Sequence, residues 1–124
     1  MSAPILRFRV DFAPHAAVGP GKIALLEGIA RQGSLSQAAR ELGMSYRRAW
    51  QLLDSLNHCF DAPVVRTRTG GERGGGADLT PLGVELLRTY QRLDARLQRA
   101  AQRTFGPLST RVSPHPRSPA ARVP

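Results

Sequence analysis

The segment that most constrains the fold is LSQAARELGMSYRRAWQLLD, from Leu35 to Asp54. Its two amphipathic stretches meet at Gly43, a residue that adopts a tight turn without steric strain. Ala39 lies four residues earlier, where a small side chain lets one helix approach the other closely. Apolar residues suited to the inner faces of the two stretches are Ala38, Leu42, Met44, Ala49 and Leu52. The pattern predicts a helix-turn-helix, with a plain helical hairpin around a glycine turn as the alternative.

The residues before this segment predict a strand and a further helix. Ile5 to Phe12 alternates apolar and charged side chains with period two, which is typical of a strand with one buried face, and Pro14 ends it. The stretch GKIALLEGIARQG follows Pro20, and Gly33 is a suitable helix terminator. Its residues expected to face inward are Ile23, Leu26, Ile29 and Ala30. Ser34 and Ser45 are then expected to begin the second and third helices.

The residues after the helix-turn-helix predict a β hairpin and a long helix. Val64 and Val65 begin an extended segment, TRTGGERGGGAD forms its tip, and the chain returns at Leu79, so residues 63–80 form a wing. Thr80 caps a helix over about 81–105, with Pro81 at the position where its missing N–H costs least. Residues 106–124 are rich in proline and serine and are expected to be disordered. The predicted fold is mostly α with a small β wing, a winged helix-turn-helix in residues 1–105 with a long C-terminal helix.

Composition favours a polyanionic partner. The formal net charge is +9 and the pI is about 11.5, which concentrates polyanions near the protein, although a basic chain with no specific partner has the same composition. Cys59 is the single cysteine, so an intrachain disulfide is excluded. We expect no membrane span, because no apolar run approaches about 20 residues, and no signal peptide. A cytoplasmic, nucleoid-associated protein is therefore expected.

The third helix and the wing carry the residues expected to contact DNA. Arginine and glutamine side chains can each bond a base edge through two atoms, and recognition helices read bases through residues near their N-terminus. The predicted DNA-binding residues are Ser34, Ser36, Ser45, Tyr46, Arg47, Arg48, Gln51, Arg66, Arg68 and Arg73. A solvated polar face and a wing tip without contacts are the alternatives. For Trp50, packing against another element is favoured over base contact.

The last helix predicts a contact with a second subunit. Five apolar residues are spaced alternately by four and three, as in paired helices. They are Leu86, Tyr90, Leu93, Leu97 and Ala100. The alternative is a stripe that packs on the chain's own core, but a helix of this length exceeds so small a core, and a homodimer is expected. Arginines on another face of this helix are interpreted as solvated.

SYRRAW (Ser45 to Trp50) and TGGERGGGADLT (Thr69 to Thr80) resemble the N-terminal domain of ModE-type molybdenum-dependent transcriptional regulators. The resemblance covers about Gly21 to Phe105, and LysR-type regulators are more distantly similar. It implies a homodimer that binds an operator, with residues 45–48 at the DNA and the long helix as the dimer contact. ModE-type proteins that sense molybdate do so in a C-terminal domain, whereas this sequence continues into a proline-rich tail. No molybdate binding is therefore expected from this chain alone.

Other functions are less well supported by the residues. The runner-up is a protein-interaction module that forms a heterodimer with a full-length regulator or modulates it. An enzyme is not expected, because His58 and Cys59 are adjacent without a convincing third group. No metal or other cofactor is expected. The chain has one thiol and three histidines, and these are too far apart in the sequence to indicate a metal-binding site.

Overall fold

The structure, a computed structural model, describes residues 3–69 and 75–115. The chain divides into two units. The main unit is Arg7–Leu93, and the terminal unit contains the described residues before 7 and after 93. In chain order the elements are β1 (Val10–Ala13), β2 (Ala16–Val18), α1 (Pro20–Gln32), α2 (Leu35–Glu41), α3 (Tyr46–Asn57), β3 (Val65–Arg68), β4 (Gly76–Leu79) and α4 (Pro81–Ser109). This is the predicted winged helix-turn-helix with a long final helix.

The helix-turn-helix forms as its capping residues predict. The Ser34 hydroxyl accepts a hydrogen bond from the Gln37 N–H at the start of α2, and the Ser45 hydroxyl accepts one from the Arg48 N–H at the start of α3. Gly43 lies in the turn with a φ of 68°, the left-handed region that an L side chain rarely adopts. The caps and the turn therefore set both helix boundaries locally.

Polar side chains also join α1 to α2. Arg31 and Gln32 at the end of α1 both donate hydrogen bonds to the Glu41 carboxylate at the end of α2. The hydrogen bond from Arg31, followed by the one from Gln32, lowers the pKa of Glu41. These hydrogen bonds are exposed to solvent, so we expect them to orient α1 and α2 more than to stabilise the fold.

The core lies where α1, α2 and α3 meet the inner side of the wing. Its largest fully buried side chains are Leu25, Leu26, Ile29, Leu53, Leu56, Val18 and Val64. The expectation that Ala30 faces inward is wrong, because Ala30 is exposed. At about 100° per residue Ala30 lies on the same side of α1 as Ile23 and Leu26, which are buried, so the period alone predicts it inside. It is exposed because it lies in the last turn of α1, at the end of the buried face.

The N-terminal strand is shorter than expected and belongs to a hairpin that the sequence did not predict. β1 begins at Val10 instead of Ile5 and pairs antiparallel with β2, with Val10 opposite Val18. β2 has three residues, so the ladder offers no partners to the residues before Val10. Phe12 is 55% exposed and meets Phe60 edge to face instead of entering the core.

The wing leads directly into α4. The Thr80 hydroxyl accepts a hydrogen bond from the Gly83 N–H, as predicted for a cap, and donates one to the Pro63 carbonyl. A Cβ on Gly83 would collide with the Val64 carbonyl oxygen, so glycine is required at this close approach. The predicted helix end near Phe105 is wrong, because α4 continues to Ser109. Pro107 is compatible with the last turn, where its missing N–H removes a single bond.

Two further expectations concern the tail and the membrane. Residues 106–109 are helical, so the disorder expected from 106 onward does not apply to them, and residues 116–124 lie outside the described part of the chain. Within the described residues, the helices lack the combination of length and apolar character that crossing a bilayer requires.

Candidate nucleic-acid interface

The outer face of α3 presents the side chains expected to contact DNA. Ala49, Leu53 and Leu56 are buried, which fixes the orientation of the helix. The opposite face therefore points to solvent, and its exposed residues are Tyr46, Arg47, Arg48 and Gln51, preceded by Ser45. Two guanidinium groups and an amide beside a helix N-terminus are suited to hydrogen bonds with base edges and phosphates.

A groove of about 270 Å³ lies between α3, the start of α2 and the wing. It brings together four of the predicted residues, Ser34, Ser36, Tyr46 and Arg68. The hydroxyls of Ser34 and Ser36 are 3.1 Å apart on its rim. Residues that are distant in the sequence thus form one continuous surface.

Trp50 and Thr67 also line this groove, and the sequence did not single out either as a binding residue. The Trp50 ring meets Tyr46 edge to face at a centroid distance of 6.2 Å and is 40% exposed. This ring contact is within α3, whereas packing against another element was expected for Trp50, and the side chain also lines the groove. The spacing of two aromatics by four residues on a helix was the available signal.

The wing contributes exposed arginines, one of which has an acidic partner. Arg66 and Arg68 lie on β3 and are exposed. Arg68 forms an ion pair with Asp78 on β4. Arg73 and the rest of the predicted glycine-rich tip, residues 70–74, lie outside the described part of the chain.

Asn57, which the sequence analysis missed, joins α3 to the wing. Its side-chain oxygen accepts hydrogen bonds from the Val64 N–H at 2.9 Å and the Val65 N–H at 3.1 Å. Its side-chain nitrogen donates one to the Val65 carbonyl at 3.1 Å. An asparagine at a helix end followed by an extended segment was the only local signal.

The family follows from comparison with known proteins. Residues 21–84 match the model of the bacterial regulatory helix-turn-helix proteins of the lysR family. The chain belongs to this family. The match covers α1, the helix-turn-helix and the wing, so the groove and the exposed face of α3 lie within a lysR-type DNA-binding module.

The similar proteins are regulators and molybdenum-related proteins of bacteria. The chain is 46% identical over 80 residues to the molybdenum-pterin-binding protein MopB of Rhodobacter capsulatus, covering 64% of this chain and 30% of that protein. The chain is 42% identical over 90 residues to the DNA-binding transcriptional dual regulator ModE of Escherichia coli K12. This alignment covers 73% of this chain and 33% of that protein. The chain is 34% identical over 99 residues to the molybdenum transport protein ModE of Azotobacter vinelandii. This alignment covers 80% of this chain and 37% of that protein. The lysR-type chain thus spans about a third of the length of these relatives.

The five residues predicted to contact a second subunit differ in their surroundings. In the main unit, Leu86 packs against the core, and the buried Tyr90 ring stacks on Phe8 at 4.5 Å and donates its hydroxyl hydrogen to the Phe8 carbonyl. Leu93 is 37% exposed. In the terminal unit, Leu97 and Ala100 are half-buried. The first part of the stripe therefore already has partners within its own chain.

The residues considered for catalytic or metal-binding chemistry, His58 and Cys59, follow directly after α3. The described residues contain no group of three or more histidine, cysteine, aspartate or glutamate side chains that could hold a metal ion. The His58 ring lies 3.5 Å from the Asp54 carboxylate, and both side chains are largely exposed. Cys59 is half-buried and donates its thiol hydrogen to the Ser55 carbonyl.

Proposed function

We propose that this chain is a sequence-specific DNA-binding transcriptional regulator that acts as a homodimer. The observation that carries the proposal is the exposed face of α3, where Arg47, Arg48 and Gln51 stand together on a lysR-type module. A helix held by buried leucines and presenting such side chains fits the major groove of duplex DNA. The net charge of +9 favours approach to the phosphates.

In this proposal α3 contacts the bases, and the wing and the starts of α2 and α3 contact the DNA backbone. The guanidinium groups and the amide on α3 read base edges, because each can form two hydrogen bonds to one base. Ser34, Ser36, Ser45 and Tyr46 bond phosphates or sugars near the ends of α2 and α3. Arg66, Arg68 and Arg73 on the wing contact the backbone beside the major groove, and this fixes the register of α3 on the duplex.

The homodimer is supported by the exposed apolar side chains along α4. Leu93 is 37% exposed in the main unit, and Phe105 and Leu108 are 53% and 57% exposed in the terminal unit. Apolar side chains on a long helix are stabilised when a second helix covers them. A pair of modules would present two α3 helices to half-sites about 34 Å apart, one turn of duplex DNA.

We also propose that these 124 residues do not bind molybdate. Several relatives carry molybdenum in their names, but this chain aligns with about a third of each. The aligned part contains the helix-turn-helix and the wing, which offer base and phosphate contacts. A protein with this function acts in the cytoplasm, where the chromosome is.

Capture of genomic DNA tests the function directly. Purified protein is mixed with sheared DNA from its own source, and the retained fragments are sequenced and titrated against the protein at several salt concentrations. We expect a small set of fragments sharing an inverted repeat, bound more weakly as salt rises. Two results together would favour the interaction module. The protein would retain DNA fragments without sequence preference, and it would bind an acidic protein in a salt-sensitive way.

A further inference from the structure

Trp50 and Thr67 line the groove beside α3, and the predicted DNA-binding set gives neither of them a role. The Trp50 ring is 40% exposed although it is large and apolar. The Thr67 hydroxyl makes no hydrogen bond within the described part of the chain, and Thr67 is exposed on β3. Both side chains line the same space of about 270 Å³. An exposed aromatic ring and a free hydroxyl that line one groove suit a ligand with one apolar part and one polar part.

The position of the groove indicates what occupies it. If α3 lies in the major groove and the wing lies beside it, the ridge of duplex between them is one sugar–phosphate strand. The groove opens between these two elements. This step rests on the proposed function, because it assumes that α3 enters the major groove.

We propose that this groove holds one strand of the DNA backbone, with Trp50 against a deoxyribose ring and Thr67 bonded to an adjacent phosphate. A deoxyribose offers C–H groups that pack on the apolar surface of an indole ring, and neutral hydroxyls are common donors to phosphate oxygens. Ser34 and Ser36 on the opposite rim provide further hydroxyls. The net charge of +9 favours a polyanion as the partner of the chain as a whole.

Such contacts position the duplex without reading its sequence. Neither Trp50 nor Thr67 carries a charge, so neither contact displaces counterions from the DNA when the protein binds. Replacing them therefore weakens binding to all sequences equally and leaves the salt dependence unchanged. A base contact by Trp50 would instead change the preference among sequences, so the two roles give different results.

Matched substitutions test the proposal by anisotropy titration. Thr67→Val removes the hydroxyl at constant shape, and Thr67→Ser is its control because it keeps the hydroxyl; Trp50→Leu removes the ring. With a mixed-sequence duplex of about 30 bp and with a selected genomic site, we expect Thr67→Val and Trp50→Leu each to raise Kd by about 2- to 10-fold. The increase is equal on both probes, the slope of log Kd against log salt is that of the parent, and Thr67→Ser binds like the parent.

A measurement on the unaltered protein covers the case in which a variant fails to fold. Trp50 is the single tryptophan, so fluorescence reports on this groove alone. We expect acrylamide to quench Trp50 less efficiently in the complex with the mixed-sequence duplex than in free protein. Equal quenching in both states would overturn the proposal.

The alternative to the deoxyribose contact is a contact between Trp50 and the methyl group of a thymine base. Alternating poly(dA-dT) and poly(dA-dU) duplexes differ only in that methyl group, and backbone contact predicts the same Kd for both. A preference for poly(dA-dT) that disappears in Trp50→Leu would overturn the proposal in favour of base contact. If Arg47→Ala weakens binding while Trp50→Leu and Thr67→Val do not, the backbone contact is wrong and the proposed function stands. If the parent fails to bind any duplex, both are wrong.

Discussion

Asn57 and Val65 are joined by hydrogen bonds in both directions. The Val65 N–H donates to the Asn57 side-chain oxygen, and the Asn57 side-chain nitrogen donates to the Val65 carbonyl, each at 3.1 Å. Asn57 is the last residue of α3, and Val65 is the first residue of β3. One side chain thus joins the end of α3 to the start of the wing.

Replacing Asn57 by alanine leaves the partly buried N–H groups of Val64 and Val65 without this acceptor. We expect the free energy of unfolding in urea to fall by about 1–3 kcal/mol. DNA affinity, measured where the variant is still folded, is also expected to fall, because the wing loses this connection to α3. Gln102→Ala, which removes an amide side chain from an exposed position of α4, is the matched control. Unchanged stability and affinity in Asn57→Ala would show that this bridge is unimportant.

Arg47→Ala, Arg48→Ala and Gln51→Ala are each expected to weaken binding to a genomic site. An arginine that contacts a base should cost about 1–3 kcal/mol and relax the preference at one position, because the two hydrogen bonds to that base are lost. Arg88→Ala on α4 removes the same charge from an exposed position and serves as the control. If all three variants bind like the parent in anisotropy titrations, the outer face of α3 does not contact the DNA.

The double variant Leu93→Asp and Leu97→Asp tests the dimer. We expect the parent to sediment as a dimer and the variant to give monomers or unfolded chain, because a buried, unpaired carboxylate is costly. Gln102→Asp introduces the same charge at an exposed position of α4 and should leave the dimer intact. A folded, monomeric parent at tens of micromolar (on the order of usual working concentrations) would contradict the homodimer.

Asp78→Asn is expected to strengthen binding to DNA. The Asp78 carboxylate pairs with Arg68, and in the variant the guanidinium is free to bond a phosphate. Arg68 then contacts the backbone without first leaving a carboxylate, so we expect a lower Kd and a slope of log K against log salt that steepens by at most about one. Asp61→Asn removes the same charge from an exposed loop and should change the slope little. Equal Kd and equal slopes for Asp78→Asn and the parent would show that the ion pair with Asp78 does not limit a contact of Arg68 with the backbone.

Calorimetric titration with molybdate is expected to show no saturable binding. Oxyanion sites need several N–H and hydroxyl donors that a rigid scaffold holds around one point. The exposed arginines attract anions without such a scaffold, so molybdate and sulfate should give the same weak heats. Saturable binding of molybdate with a Kd well below about 1 mM, which sulfate does not reproduce, would contradict this prediction.

The sequence by itself determined the local elements of this protein. Serine caps at Ser34 and Ser45, the threonine cap at Thr80 and the turn glycine Gly43 act on residues only a few positions away. Such signals are readable in one dimension because capping and apolar periodicity involve neighbours along the chain. They located α2, α3, the wing and the start of α4 before any tertiary contact was known.

The tertiary structure alone decided which side chains were available for function. Tyr90 has the spacing of a subunit contact, yet Phe8, 82 positions earlier, stacks on its ring and accepts its hydroxyl hydrogen. Trp50 and Thr67 share a groove only because α3 packs beside the wing. Periodicity shows that a face is apolar but does not show what covers it, since that depends on contacts between residues far apart in the sequence.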